Sequence, residues 1–248
     1  MKNYEGFALV YDIFMKDINY NLWTDYIKDI WDKNHLEPKL VAELGCGTGN
    51  ITRLLSEMGY DMIGIDISEE MLSIAKRKEG SGKILYLLQD MREFELYGTV
   101  DSIISPMDSI NYITDSDELV SVFKLVNNYL EPGGIFIFDL NTEYKFKDIL
   151  ADNSFSEIND SSAYIWENFY DESLKINEYS LNFFIEMNDG KYRRFEETHY
   201  EKAYSIEEIK KAIEKSGMRF LNVYDAFTFN PPSEESERVF FIAKEVTK

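Results

Sequence analysis

The feature that most constrains this chain is the run Leu40-Val41-Ala42-Glu43-Leu44-Gly45-Cys46-Gly47-Thr48-Gly49-Asn50. An apolar stretch from Leu40 to Leu44 has the length of a buried strand, and three glycines at alternate positions follow it at once. Ile51, Leu54 and Leu55 then open a helical pattern. Strand, glycine-rich turn and helix form the start of a nucleotide-type βαβ unit, in which a ligand lies against bare backbone. The next strand, Met62-Ile63-Gly64-Ile65, ends on Asp66, 21 residues after Gly45, where a ribose-binding acid is expected.

The ligand class follows from spacing and charge. G-x-G-x-G is not the G-x-G-x-x-G of a dinucleotide site, and a pyrophosphate favours a helix N-terminus with cations nearby. Here Glu43 stands beside the glycines, and no Lys or Arg occurs between residues 40 and 52. A ligand with a cationic head suits this turn better, so an NAD-dependent oxidoreductase is the weaker enzyme reading. S-adenosylmethionine has an ammonium, a sulfonium and a ribose, and no phosphate.

The stretch Glu43–Asn50, with Gly64-Ile65-Asp66-Ile67-Ser68 downstream, resembles the class I S-adenosylmethionine-dependent methyltransferases over roughly residues 38–140. The resemblance implies S-adenosylmethionine as cofactor. It also implies an α/β three-layer sandwich with a mostly parallel seven-stranded sheet of order 3-2-1-4-5-7-6, strand seven antiparallel. Expected cofactor contacts are Glu43, Gly45, Cys46 and Gly47 at the turn and Asp66 on the ribose. Ile67 and Met71 border the adenine, whose faces need apolar cover. The family pattern places an acid where Asp90 ends the third strand, to accept from the adenine amino group, with the Met91 amide on a ring nitrogen. Pro106 opens the turn after the fourth strand, also on the cofactor side. Tyr4, Phe7, Ala8, Tyr11 and Asp12 approximate a lid pattern whose tyrosines touch the methionine end. Packing of the two aromatic N-terminal helical stretches, 3–15 and 19–34, against the sheet is the competing reading.

The acceptor side is less determined. Strand four adjoins strand one at the switch point of the sheet, so Asp108, Ser109, Asn111 and Tyr112 after it are the best-placed polar groups for substrate, with Asp108 a candidate catalytic residue. The same side chains could instead cap the local turn. From about residue 154 the texture changes to alternating strands, with a hairpin turn at Asn188-Asp189-Gly190. Residues 154–202 are therefore expected as an inserted antiparallel sheet roofing the acceptor site, with Trp166, Phe169, Tyr170 and Tyr200 among its aromatics. Residues 1–153 and 203–248 make the main domain with its N-terminal helical cap. His199 shares a face with Phe195 and Glu197 and is the candidate general base. A structural strand histidine is the alternative. The family's His-x-x-x-x-Tyr pattern matches His199 and Tyr204. Ser205-Ile206-Glu207-Glu208 forms a capping box that starts the next helix.

Charge narrows the partners. With 46 acidic and 26 basic residues the net charge is −20, which repels phosphate backbones and acidic membranes. Nucleic acid is an unlikely partner; an RNA methyltransferase would need a local basic patch. The aromatic, acidic setting favours a small amine or hydroxyl acceptor. A non-catalytic cofactor-binding subunit is the remaining alternative. The one cysteine, Cys46, excludes an internal disulfide and fits a reducing, cytoplasmic compartment. No apolar run approaches the roughly 20 residues of a membrane span. Two histidines and one cysteine supply no metal-ligand spacing.

Overall fold

The computed structural model describes residues 7–79, 82–187, 189–246 and 248, with the side chains of residues 7–10 excepted. The expectations for Tyr4, Asn188 and the side chains of Phe7 and Ala8 lie outside the described residues. The chain runs α1 (Phe7–Phe14), α2 (Tyr20–Lys33), β1 (Leu40–Leu44), α3 (Asn50–Glu57), β2 (Asp61–Asp66), α4 (Glu69–Glu79), β3 (Leu85–Leu88) and β4 (Val100–Ser105). It continues through α5 (Ser116–Tyr129), β5 (Leu130–Asn141), β6 (Ser154–Ile158), β7 (Ser162–Asp171), β8 (Ile176–Glu186), β9 (Tyr192–Lys202), α6 (Ile206–Lys215), β10 (Arg219–Asp225) and β11 (Arg238–Lys244).

Seven strands form one sheet of order β10-β11-β5-β4-β1-β2-β3. Pairs among β1 to β5 are parallel, and β11 runs antiparallel between β5 and β10. This is the order 3-2-1-4-5-7-6 with the last strand reversed. The central strands are apolar throughout because helices cover both faces. Ile103, Phe136, Phe138 and Phe241 pack with Phe123 of α5 and Ile209 and Ile213 of α6. Val41, Ile104, Ile137 and Phe240 pack with Trp23, Ile27, Ile30 and Trp31 of α2 and Leu55 of α3. The stripe on α2 is therefore core. Its Trp31 Nε1 donates to Ser102 Oγ at 2.9 Å, and Ser102 Oγ donates to the Ile135 carbonyl at 2.8 Å. Among the described residues, no helix is long and apolar enough to cross a membrane.

Local chemistry sets the helix starts. Asp115 accepts from the amides of Asp117 and Glu118 ahead of α5. Ser205 and Glu208 close the capping box of α6 in both directions. The stretch Glu131-Pro132-Gly133-Gly134 that follows α5 lies inside β5, whose Leu130 pairs with Val100.

The second sheet is antiparallel, of order β6-β7-β8-β9, and spans 154–202 as anticipated. What joins it to the main sheet corrects one expectation. Asn111 does not face a substrate. It is fully buried, its Nδ2 donating to the carbonyls of Asn141 (3.1 Å) and Lys202 (2.8 Å) and its Oδ1 accepting from the Asn141 amide (3.0 Å). It thus ties the end of β5 to the end of β9. A short polar amide is wanted there because three backbone groups must be satisfied away from water. Asn111→Ala leaves them without partners at roughly 1–3 kcal/mol each. Urea unfolding of this variant is expected to show a loss of about 3 kcal/mol or more; an unchanged midpoint would contradict the structural role.

Candidate active site

The glycine turn is held from below by backbone. The amides of Gly45 and Cys46 both donate to the Ile65 carbonyl, at 2.8 and 3.0 Å. Gly45 and Gly47 have φ of +70° and +53°. A Cβ on Gly45 would lie 2.5 Å from Ser109 Oγ, whereas one on Gly47 would meet nothing within 4 Å and would stand in open space. Gly45 is thus required by packing and Gly47 by its left-handed φ and by the room beside it.

Asp66 locks this turn to the start of α4. Its Oδ2 accepts from the Gly47 amide at 2.7 Å and its Oδ1 from the Ser68 amide at 2.8 Å. Burial raises its pKa, and the backbone amides of Ser68, Gly47 and Ile67 hold it down only in part. Glu43 is 3% exposed and accepts from Thr52 Oγ1. Burial pushes its carboxyl up to about 8, against the Thr52 hydrogen bond, with the Asp66 charge adding to the rise.

One cavity of about 900 Å³ opens from this turn. Its walls on the side of the glycine turn include Tyr11, Gly45, Gly47, Asp66, Ile67, Met71, Asp90 and Met91. The same cavity reaches Asp108 and His199 beneath the second sheet. Glu43, Cys46 and Pro106 border a small adjoining recess that shares Tyr11, Gly45 and Gly47 with it. All thirteen expected site residues therefore border this cavity or the recess beside it. Two carry qualifications. Ile67 is 57% exposed at the rim, and Asp90 is held by its own neighbour Arg92 at 2.5 Å.

The end of β4 forms the floor of that space. Met107 and Asp108 are both left-handed, with φ of 61° and 56°, and their amides donate to the two carboxylate oxygens of Asp139 at 2.7 and 3.1 Å. Arg238 of β11 bridges Asp139 and Asp108, the latter at 2.6 Å. Asp108 is thus an ion-paired wall residue and not a turn cap. Burial raises the Asp139 carboxyl to about 6 even beside Arg238.

Strand β9 supplies the roof. Its Glu197, His199 and Glu201 occupy alternate positions and are all buried on the inner face. His199 Nε2 lies 3.3 Å from Glu197 Oε2, and its ring meets Tyr112 edge-on at 5.8 Å. Trp166, Tyr179 and Phe183 complete the inner wall. Phe169 and Tyr200 do not belong to it, being 58% and 49% exposed, because each sits one residue out of phase with the inward positions. Tyr170 is buried against Phe146, and Tyr204 donates to the Ile113 carbonyl at 2.5 Å, both away from the cavity.

Helix α1 closes one side. Asp12 accepts from Thr48, Asn50 and Lys78, while Phe14 meets Tyr164 edge-on at 4.6 Å and Phe183 at 5.9 Å. One short helix therefore touches both the glycine turn and the second sheet.

Arg238, Asp139, Lys145 and Glu201 lie outside the motifs of the sequence, and all line the cavity wall except Asp139, which is fully buried behind it. The first three come from separate elements with no shared spacing. Glu201 alone had a signal, lying two positions beyond His199 in the same alternation.

The comparisons with known proteins agree with this geometry. A family model described as a methyltransferase domain matches residues 41–134. YqeM of Bacillus subtilis (strain 168), which carries the name of a methyltransferase, is 36% identical over 243 residues, covering 97% of this chain and 96% of that one. The crystal structure of a S-adenosylmethionine-dependent methyltransferase from Clostridium acetobutylicum ATCC 824 superposes with a TM-score of 0.87 at 33% identity, covering 99% and 100% of the two chains. A dTDP-3-amino-3,4,6-trideoxy-α-D-glucopyranose N,N-dimethyltransferase of Streptomyces venezuelae is 28% identical over 133 residues, 52% of this chain and 55% of that one. Glycine spacing, the acid at Asp66, sheet order and full-length relatives converge: the chain belongs to the class I S-adenosylmethionine-dependent methyltransferases, and its cofactor is S-adenosylmethionine, not NAD.

Proposed function

We propose that this chain moves the methyl group of S-adenosylmethionine to an amine or hydroxyl of a small molecule held beneath the sheet 154–202. The observation that carries the reading is the single cavity running from the glycine turn to the inner face of β9. Residues 1–153 and 203–248 act as the methyltransferase domain and 154–202 as the roof over the acceptor. The residues present fit the cofactor: Gly47 leaves open space beside a turn with no Lys or Arg, and a buried acid at Glu43 is ready to meet a cation. Asp66 holds the ribose, Asp90 and Met91 the adenine edge, Ile67 and Met71 its faces, and Glu43 with Tyr11 the amino-acid end. The cofactor supplies an activated methyl group on a sulfonium.

The protein's own work is then orientation, exclusion of water and proton handling. His199, set against Glu197 and Tyr112 in the roof, draws a proton from the acceptor. Asp108, fixed by Arg238, lines the path between the two ends. The amino-sugar dimethyltransferase from Streptomyces venezuelae supports an amine or sugar acceptor over RNA, as does a net charge of −20.

Three measurements test this. Calorimetric titration is expected to show binding of S-adenosylhomocysteine and none of NAD, and a screen of small amines and alcohols with labelled S-adenosylmethionine to yield a methylated product; incorporation into RNA alone would overturn the small-molecule reading. Glu43 gives a pH signature. In the empty protein it keeps its proton until about pH 8, and a cation beside it drives that proton off, so binding releases a proton below that pH. Affinity for S-adenosylhomocysteine should therefore rise from pH 6 to pH 8, by at most about tenfold per unit, and Glu43→Gln should flatten the rise. Equal slopes in both proteins would place the linked proton elsewhere. Finally, His199→Ala should lower turnover by roughly 10²–10⁴-fold, the range for a lost general base, with cofactor affinity unchanged. Full turnover in this variant would remove His199 from the chemistry.

A further inference from the structure

Glu201 is 2% exposed in the cavity wall. Its Oε2 accepts from Tyr179 Oη and from Asn141 Nδ2, both at 3.3 Å and both neutral donors. Among the described residues it enters no ion pair. The two cations of the same wall make their hydrogen bonds and ion pairs with other groups, although the charges of both act on Glu201. Arg238 lies between Asp108 and Asp139, and Lys145 Nζ donates to Asn141 Oδ1 at 3.0 Å. Lys145 is itself pushed toward its neutral form, first by burial and then by the Arg238 charge.

A carboxylate buried without a cation in direct contact is costly, and the cost falls when a ligand brings one against it. Burial and, after it, the Asp108 charge keep the Glu201 carboxyl well above the usual carboxylate range, against the Asn141 hydrogen bond and the Arg238 and Lys145 charges, and a cation in direct contact would lower it. The flanking walls offer the aromatic faces of Trp166 and Tyr179, which also attract cations. An anionic acceptor would face Glu201 and Asp108 together, and a neutral alcohol would leave Glu201 uncompensated.

Resting on the reading of a small acceptor beneath the roof, we infer that Glu201 selects the acceptor by pairing with its ammonium, so that the substrates are amines taken in as cations. Glu201 lies two positions from His199 on the same face of β9, so an ammonium held by the one sits within reach of the other. Glu201 thus recognises charge, and His199 handles the proton. For the nitrogen to attack, one N–H bond breaks, its electron pair stays on nitrogen, and the proton passes to the imidazole; that pair would then form the N–C bond as the methyl–sulfur bond breaks with its electrons left on sulfur.

The test uses benzylamine and benzyl alcohol, which differ in the group that Glu201 would read. Each is titrated at pH 7.5 into full-length protein saturated with S-adenosylhomocysteine. Wild type is expected to bind benzylamine at least tenfold more tightly than benzyl alcohol, the lower end for a charge-assisted hydrogen bond. Glu201→Gln, which keeps the shape of the side chain, should bring the two within about threefold of each other while S-adenosylhomocysteine affinity stays unchanged. Tyr179→Phe, which removes a neutral donor and leaves the carboxylate, should keep the preference for the amine. A preference that survives in Glu201→Gln, or that disappears equally in Tyr179→Phe, would overturn the role of Glu201. Wild type that prefers the alcohol and methylates only hydroxyl compounds would overturn the amine class and leave methyl transfer to a small molecule standing. Wild type that binds neither probe and methylates no small molecule would overturn both.

Discussion

The site depends on one buried carboxylate, Asp139, at the end of β5. It accepts the amides of Met107 and Asp108, and it pairs with Arg238 from β11. Two successive non-glycine residues with positive φ cost roughly 1–3 kcal/mol each, and hydrogen bonds to a charged group, at roughly 1.5–3 kcal/mol each, offset that. The turn so fixed places Ser109 against Gly45 and Asp108 in the cavity wall. The glycine turn, the floor and the strand β11 are consequently one unit. Sheet order makes this possible: β11 inserts antiparallel beside β5, and the N-terminal end of β11 thereby meets the C-terminal end of β5, where Arg238 pairs with Asn141 in register.

Around that unit, carboxyl groups gather where, on our proposal, cationic reactants come. Glu43 and Asp66 stand at the turn, Asp108 at the floor and Glu201 in the roof. Three of these carboxyls, Glu43, Asp66 and Glu201, have their pKa raised mainly by burial. Such groups weaken the empty protein as pH rises through their folded pKa, because the native state holds protons that the unfolded chain has lost. On our proposal, a positively charged cofactor and a positively charged acceptor both relieve that strain. Helix α1 bears on the glycine turn through Asp12 and on the second sheet through Phe14, so one short helix spans both ends of the site.

Much of this was legible along the chain because the signals were local. Strand, glycines and helix around residues 40–55 declare their geometry by spacing alone, and the switch to a two-residue period after about residue 154 marks the antiparallel strands β7 to β9. The capping box at Ser205 and Glu208 needs only four consecutive residues. What stayed hidden was non-local. Asn111 has the composition of a site residue, yet its partners are 30 and 91 positions away in the backbone of β5 and β9. Arg238 and Asp139 meet across 99 positions. Phe169 and Tyr200 failed for a simpler reason: in a strand one step of phase moves a side chain from wall to solvent. Glu201 obeys the same parity rule as His199 and was readable from it.

The central claim is that the cofactor lies on the glycine turn with its reactive end facing the space beneath the second sheet. A crystal structure with S-adenosylhomocysteine bound tests it most directly. The predicted result has the ribose hydroxyls on Asp66 and the sulfur turned toward the cavity between Tyr11 and Asp108, with His199 and Glu201 beyond it. A ligand whose sulfur points to bulk solvent, away from β9, would contradict it.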